Sequence, residues 1–402
     1  MNSLNQEAKE NQLYKFMLIA GIIVVAFNLR PAITSVGPLM GMIRDDMGLS
    51  NWSVGLLTSL PLVVFAVMSP IIPKLANRYT NEIILLIGLI LLVLGIGTRS
   101  ISIVFLIFMG TLLVGAGIAI CNVLLPGIIK EKFPAKVGVM TSIYTTTMGI
   151  FAATASGLSI PIAEGLNLGW QIALLIWGVP ALIGMLVWIY LSKKGKPNNN
   201  VDVKYIHSEN NNMWRSSIAW QVAFFMGLQS FLFYVTISWL PEILHDYGVS
   251  MATAGWMLFF TQIIGLPASF LVPVIAGKYP SQRFIVVIMG ACAIGGYSGL
   301  LFGTSFMMMI ISIILIGIAL SGNFALALAL LGIRARTAKQ AAELSGIAQS
   351  IGYVLAAIGP MFVGYLYDLT HTWTVPIITL LIVTSLVVLF GLGAGRDRYV
   401  LG

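Results

Sequence analysis

Long apolar stretches recur along the chain, separated by short polar segments. They predict twelve helices, at 15–42, 53–76, 82–99, 101–129, 137–163, 170–192, 217–246, 253–276, 283–303, 305–332, 341–368 and 373–394. At a rise of ~1.5 Å per residue, each is long enough to cross about 30 Å of hydrocarbon. In such a medium backbone amides must be paired within the segment, so a helix is the form expected. The stretches fall into two groups of six around the polar segment Lys193–Ser216, which contains Lys-Lys-Gly-Lys-Pro-Asn-Asn-Asn and later Glu-Asn-Asn-Asn. Its composition predicts a solvated linker. The expected organisation is an all-α polytopic membrane protein: a six-helix bundle over 1–192, a cytoplasmic linker over 193–216 and a second bundle over 217–402. The first 15 residues are polar with charges of both signs, and the apolar run after them is too long for a secretory core. An uncleaved first helix is expected.

The two groups read as repeats. Ile43-Arg-Asp-Asp-Met-Gly-Leu-Ser50 matches Ile243-Leu-His-Asp-Tyr-Gly-Val-Ser250, and Pro73-Lys-Leu-Ala-Asn-Arg-Tyr79 matches Pro273-Val-Ile-Ala-Gly-Lys-Tyr279, each at an offset of 200. Two matches at one offset predict a duplicated six-helix unit in one orientation, a plan used by transporters whose halves rock about a central site.

Composition agrees: 58% of residues are apolar, 9% are charged and the mean hydropathy is +0.95, too little charge to coat a soluble domain. The net charge of +8 would suggest nucleic acid in a soluble protein, but here it is topological. With both termini cytoplasmic, 19 of the 22 Lys and Arg residues fall inside. Arg44 and Arg99 are expected outside, and Arg30 lies within the first span. That asymmetry predicts a multi-pass protein of the cell membrane with its termini inside, and no nucleic-acid partner. Cys121 and Cys292 both fall in apolar stretches, so packing roles are expected rather than a disulfide or metal site.

Arg30 is the candidate chemistry. A guanidinium cannot shed its charge, and helix-centre depth costs it about 2.5–3.5 kcal/mol. Pro31 removes a backbone donor and predicts a kink beside it. Thr34 is expected on the Arg30 face and Asn28 on a neighbouring one. The acidic residues are all expected near span ends, in the linker or in the termini, Glu242 near the outer end among them. The core would then hold one permanent positive charge and no carboxylate. A planar fork of donors suits a small anion, or a ligand rich in acceptor oxygens.

Further polar side chains within spans are candidate partners. Asn122 precedes Pro126 in the fourth span and corresponds to Asn323 in the tenth; either is a ligand or helix-to-helix glue. Gln229 and Tyr234 in the seventh span fit a site or packing equally well. Tyr144 in the fifth span, with Gln349 and Tyr353 in the eleventh, completes the set.

These segments carry a resemblance. Pro73-Lys-Leu-Ala-Asn-Arg-Tyr-Thr-Asn-Glu82 resembles the Gly-x-x-x-Asp-Arg-x-Gly-Arg-Arg signature of the major facilitator superfamily, with Asn77 in place of the acid and the final basic pair missing. Asn28-Leu-Arg-Pro-Ala-Ile, Cys121-Asn-Val-Leu-Leu-Pro, Gln229-Ser-Phe-Leu-Phe-Tyr with Trp239-Leu-Pro, and Ala348-Gln-Ser-Ile-Gly-Tyr with Gly359-Pro are similar to the cyanate permease / nitroimidazole transporter family. The resemblance covers essentially the whole chain. It implies a secondary carrier for a small anion or small polar molecule, with cyanate-like and nitroimidazole-like substrates as the family precedents. No cofactor or metal is expected, a proton is a candidate coupling ion, and a monomer is expected.

A proton-coupled multidrug or small-molecule exporter of the same fold is the alternative. Exporters of that kind carry Arg four residues before Gly in the fourth span and Gly-Pro in the fifth. Here Thr111 precedes Gly115, and Ala-Ala-Thr-Ala-Ser156 stands where Gly-Pro would be. An enzyme would need a nucleophile with its base, or a metal cluster. His207, His245 and His371 fall in the linker or near outer ends, so no enzyme is expected.

Overall fold

The computed structural model describes residues 2–69, 71, 72, 75, 79–133, 137–194, 213–303, 305–336 and 338–401. The Asn77-Arg78 motif and most of the predicted linker lie outside the described residues, whereas the repeat match Pro273–Tyr279 is described. Among the described residues, twelve helices are long and apolar enough to cross a membrane. Span 1 comprises Asn2–Asn28, Pro31–Thr34 and Val36–Met47. Spans 2 to 6 are Asn51–Met68, Asn81–Arg99, Val104–Lys132, Val137–Ile160 and the pair Gly169–Leu175 with Gly178–Lys194. Spans 7 to 12 are Ser217–Asp246, Met251–Ala276, Arg283–Phe302, Phe306–Ile333, Ala338–Thr370 and Thr374–Ala394.

The repeat is written in the backbone. After Met47 the chain turns through Gly48 at φ +62°, and after Tyr247 through Gly248 at φ +91°, a region that glycine enters without the cost of a Cβ. In both turns the next amide closes on a carbonyl five residues back, Leu49 on Arg44 at 3.0 Å and Val249 on Leu244 at 3.1 Å. This is the hydrogen bond of a Schellman stop. Ser50 and Ser250 then start spans 2 and 8, each side chain accepting from the amide three residues on, at 3.2 Å. That is the N-cap bond favoured for serine.

Matching tryptophans stand beside these turns. The Trp170 indole donates to Asp46 at 2.9 Å, and the Trp373 indole to Asp246 at 2.7 Å. At the opposite end, Lys132 pairs with Glu82 at 3.1 Å between spans 4 and 3. The corresponding place in the second six holds Arg334, which donates to Gln282 and to the Ala394 carbonyl.

The kink expected at Pro31 is a full break: Leu29 and Arg30 form a turn, with Arg30 at φ −120°, ψ −41°. Pro31 explains it, because its ring disfavours helical geometry in the residue before it and it has no amide to extend the ladder. One expectation needs correction: Arg99, expected outside, is not at an outer surface. Its side chain is packed inside the first six spans at 2% exposure, so Arg30 is not the sole guanidinium among the helices. Counting basic residues by span ends cannot detect a side chain that turns back between helices.

The two sets of six meet closely at the end opposite the chain termini. Gly37 lies so near the Ile237 carbonyl that a Cβ would overlap it, and one at Gly55 would stand 2.7 Å from the Pro360 carbonyl. Ser238 donates to Thr58 at 2.9 Å and Gln262 to Ser156 at 3.1 Å. The Arg44 guanidinium donates to Asn51 at 2.9 Å and lies 3.7 Å from Glu242. Asp368, from span 11, accepts from the Asn51 amide at 3.2 Å, the Asn51 side chain at 2.8 Å and the Trp52 amide at 2.8 Å. Those amides belong to the first turn of span 2, whose donors have no helical partner of their own. Glu242, expected near the outer end of its span, lies four residues from the end of span 7 and is only 5% exposed, held against Gly41 and opposite Arg44.

Candidate functional site

The break in span 1 sets Arg30 at the N-terminal boundary of the separate turn Pro31–Thr34, where the chain is not bound to a single helical direction. Its guanidinium receives no described carboxylate within 4.0 Å. It is half-buried, donates to the Tyr234 hydroxyl at 3.2 Å and stands 5.2 Å and 5.8 Å from the ring centres of Phe233 and Tyr234. A cation over aromatic faces gains roughly 0.5–2 kcal/mol, more as water is removed. Phe233 and Tyr234 meet edge to face at 5.3 Å, which fixes both rings.

Tyr144 from span 5 and Tyr353 from span 11 also lie within electrostatic reach of Arg30, and Tyr353 within reach of both other tyrosines. Phe65 of span 2 supports Tyr353 edge to face at 5.4 Å. Spans 1, 2, 5, 7 and 11 thus converge on one cation. Beside it stand the Tyr234 hydroxyl, which can both donate and accept, and the ring faces of Phe233 and Tyr234. The arrangement suits a small planar or linear solute with acceptor atoms: the fork binds the acceptors and the rings cover the body.

Arg30, Tyr144, Tyr234 and Tyr353 come together, as four of the ten residues expected in the site. Asn28 and Thr34 flank Arg30 but are committed elsewhere. The Asn28 amide donates to the Val24 carbonyl at 2.6 Å, and the Thr34 hydroxyl reaches the carbonyls of Ala152 at 2.9 Å and Arg30 at 3.3 Å. Gln229 is fully buried and donates to Ser230 at 2.8 Å; Gln349 donates to Ser345 within its own helix at 2.8 Å. Asn122 is half-buried, while Asn323 is buried with its side-chain oxygen unpaired. None of these four makes a described contact with the guanidinium. Phe233 and Phe65 were missing from the sequence-based set, since an apolar ring inside an apolar helix carries no polar signal. The position of Phe233 beside Tyr234 was the only hint.

Comparison with known proteins agrees with this architecture. The family model for the Major Facilitator Superfamily matches residues 18–305 and 222–399. The uncharacterized transporter YycB of Bacillus subtilis (strain 168) is 49% identical, over 97% of this chain and 96% of its own. The 2-nitroimidazole transporter of Escherichia coli (strain K12) is 39% identical, over 96% of each chain. The cyanate transport protein CynX of the same strain is 24% identical, over 88% of this chain and 90% of its own. Among solved structures, a D-xylose-proton symporter superposes with a TM-score of 0.77 at 16% identity, covering 97% of this chain and 98% of that one, a likeness of fold alone. Twelve apolar helices, a duplicated six-helix plan and these whole-length matches make the protein a membrane carrier and not an enzyme. The chain belongs to the major facilitator superfamily, in the family of the cyanate permease and nitroimidazole transporter relatives.

Proposed function

We propose that this carrier moves a small anion, or a small polar solute with anion-like acceptor oxygens, by alternating access around Arg30. The observation that carries the reading is the guanidinium itself. It sits among Tyr234, Phe233, Tyr144 and Tyr353 with no described carboxylate within ion-pair distance. A bound anion supplies the missing charge, and the named relatives make cyanate and 2-nitroimidazole the first solutes to try. Asn28, Thr34, Asn122, Gln229, Asn323 and Gln349 stand behind this first ring of contacts as secondary candidates.

In this reading residues 1–192 and 217–402 form two bundles joined by the 193–216 linker, with both termini in the cytoplasm of a cell-membrane protein. The tight end, opposite the termini, is then the outer one, and opening it breaks the Arg44–Glu242 and Asn51–Asp368 contacts. Substrate favours the closed-over state only to the extent that it binds that state better. Import of an anion against an inside-negative potential costs about 2.3 kcal/mol per charge per 100 mV, which a co-transported proton would offset, while export runs with the potential.

The test is flux of radiolabelled cyanate and 2-nitroimidazole into proteoliposomes under an imposed pH gradient or voltage. Arg30→Ala is expected to abolish flux with the protein still folded, and Arg30→Lys to weaken it strongly, because a point charge does not reproduce the fork. Full flux through Arg30→Ala would remove Arg30 from the site.

A further inference from the structure

Arg99 presents a problem that the binding reading leaves unsolved. It ends span 3, where a cation suits the negative end of the helix dipole. Yet its side chain turns inward and is almost wholly buried. One terminal nitrogen donates to the Ala32 carbonyl at 2.5 Å, while Nε and the other terminal nitrogen have no partner. Span 4 presses on it from behind: Gly110 lies against the Arg99 backbone, where a Cβ would sit 2.7 Å from the Cβ of Arg99. A buried guanidinium with unpaired donors is a costly way to hold one carbonyl, and a neutral amide would do so at less cost.

The carbonyl it holds is the informative part. Ala32 belongs to the isolated turn Pro31–Thr34, two residues after Arg30. Span 5 pins the far side of that turn: Thr34 donates to the Ala152 carbonyl, and Ser156 and Ser159 donate to the carbonyls of Thr34 and Ser35 at 3.3 Å and 3.1 Å. Arg99 pins it at Ala32. Between them these contacts fix the one stretch of span 1 that a broken ladder leaves free, and Arg30 is carried at its edge. We propose that Arg99 is a positioning residue for transport: it locks the Pro31–Thr34 turn so that the Arg30 fork stays aimed at Tyr234 and the solute. Arg99 touches no solute itself and acts only through Arg30.

The inference rests on the proposed role of Arg30, and the experiment separates the two. Uptake of radiolabelled cyanate and 2-nitroimidazole into proteoliposomes is measured for wild type, Arg30→Ala, Arg99→Leu, Arg99→Lys, Tyr234→Phe and the Arg99→Leu/Tyr234→Phe double variant. Arg99→Leu is expected to raise KM about tenfold with Vmax within twofold, and Arg99→Lys, which still offers a charged donor to Ala32, to raise KM less than threefold. Because Arg99 aims Arg30 at Tyr234 and the solute, the rises in KM from Arg99→Leu and Tyr234→Phe are expected to combine to less than their product in the double variant; contacting sites are non-additive, independent ones additive. An unchanged KM in Arg99→Leu, or the full tenfold rise in both backgrounds, overturns the proposal while leaving Arg30 in place. Should Arg99→Leu fail to fold, Arg99→Lys decides: a folded protein with KM raised tenfold or more overturns it, since the charge and its reach are nearly kept. Normal flux in Arg30→Ala, or no flux of either solute in wild type, overturns both.

Discussion

Asp368 gives the sharpest handle on the proposed conformational cycle. Its carboxylate spans the two sets of six, taking three hydrogen bonds from the first turn of span 2. Two of them come from backbone amides that have no helical acceptor, so separation of the halves leaves these donors to water. Hydrogen bonds to a charged group are worth about 1.5–3 kcal/mol each at most. Asp368 and Asn51 are only partly buried and Trp52 is exposed, so solvent screens the set and reduces the net effect to about 1–2 kcal/mol. Asp368→Asn keeps the shape, removes the charge and turns one acceptor into a donor facing an amide. The ratio of open to closed molecules at that end is therefore expected to rise about 5–30-fold. Spin labels at Ile103, just before span 4, and Phe302, the last residue of span 9, both exposed, report the separation by electron–electron distance measurement. An unchanged distance distribution in a folded Asp368→Asn protein would refute the reasoning and make this cluster a surface decoration.

Other changes test other parts. Tyr234→Phe keeps the ring beside Arg30 but loses the hydroxyl at 3.2 Å; about 1 kcal/mol, or a several-fold higher KM with little change in Vmax, is expected in vesicle uptake. Gly37→Ala puts a methyl onto the Ile237 carbonyl between the two sets of six, and Gly317→Ala puts one onto the Thr261 carbonyl inside the second six. The first is expected to slow transport at nearly normal thermal stability, the second to lower the melting temperature, and detergent melting curves read beside uptake distinguish them. Trp170→Phe removes the bond to Asp46 and is expected to cost about 1 kcal/mol of stability, seen as a lower melting midpoint.

Much of the scaffold was legible from hydropathy because a bilayer leaves the backbone few choices. The repeat was legible at Gly48 and Gly248 because a helix stop with positive φ selects glycine at a fixed place. Pro31 announced the break in span 1 by the same local logic. Arg30 was legible as an energetic exception, but its partners were not: Tyr234 is 204 positions away, and Phe233 looks like any lipid-facing ring. Arg99 was misplaced because it stands at the end of a span, where one dimension reads a surface and three dimensions place a neighbouring helix.

The contacts around the two glycine turns divide into kinds that a binding reagent would tell apart. Asp46 with Trp170, and Asp246 with Trp373 and Tyr367, stay within one set of six. Arg44 with Glu242, and Asn51 with Asp368, cross between the sets. An antibody fragment whose footprint covers only the first kind would recognise every state of the carrier equally and serve as a neutral handle. One whose footprint straddles Asn51 and Asp368 would capture a single state and stop transport without entering the central cavity.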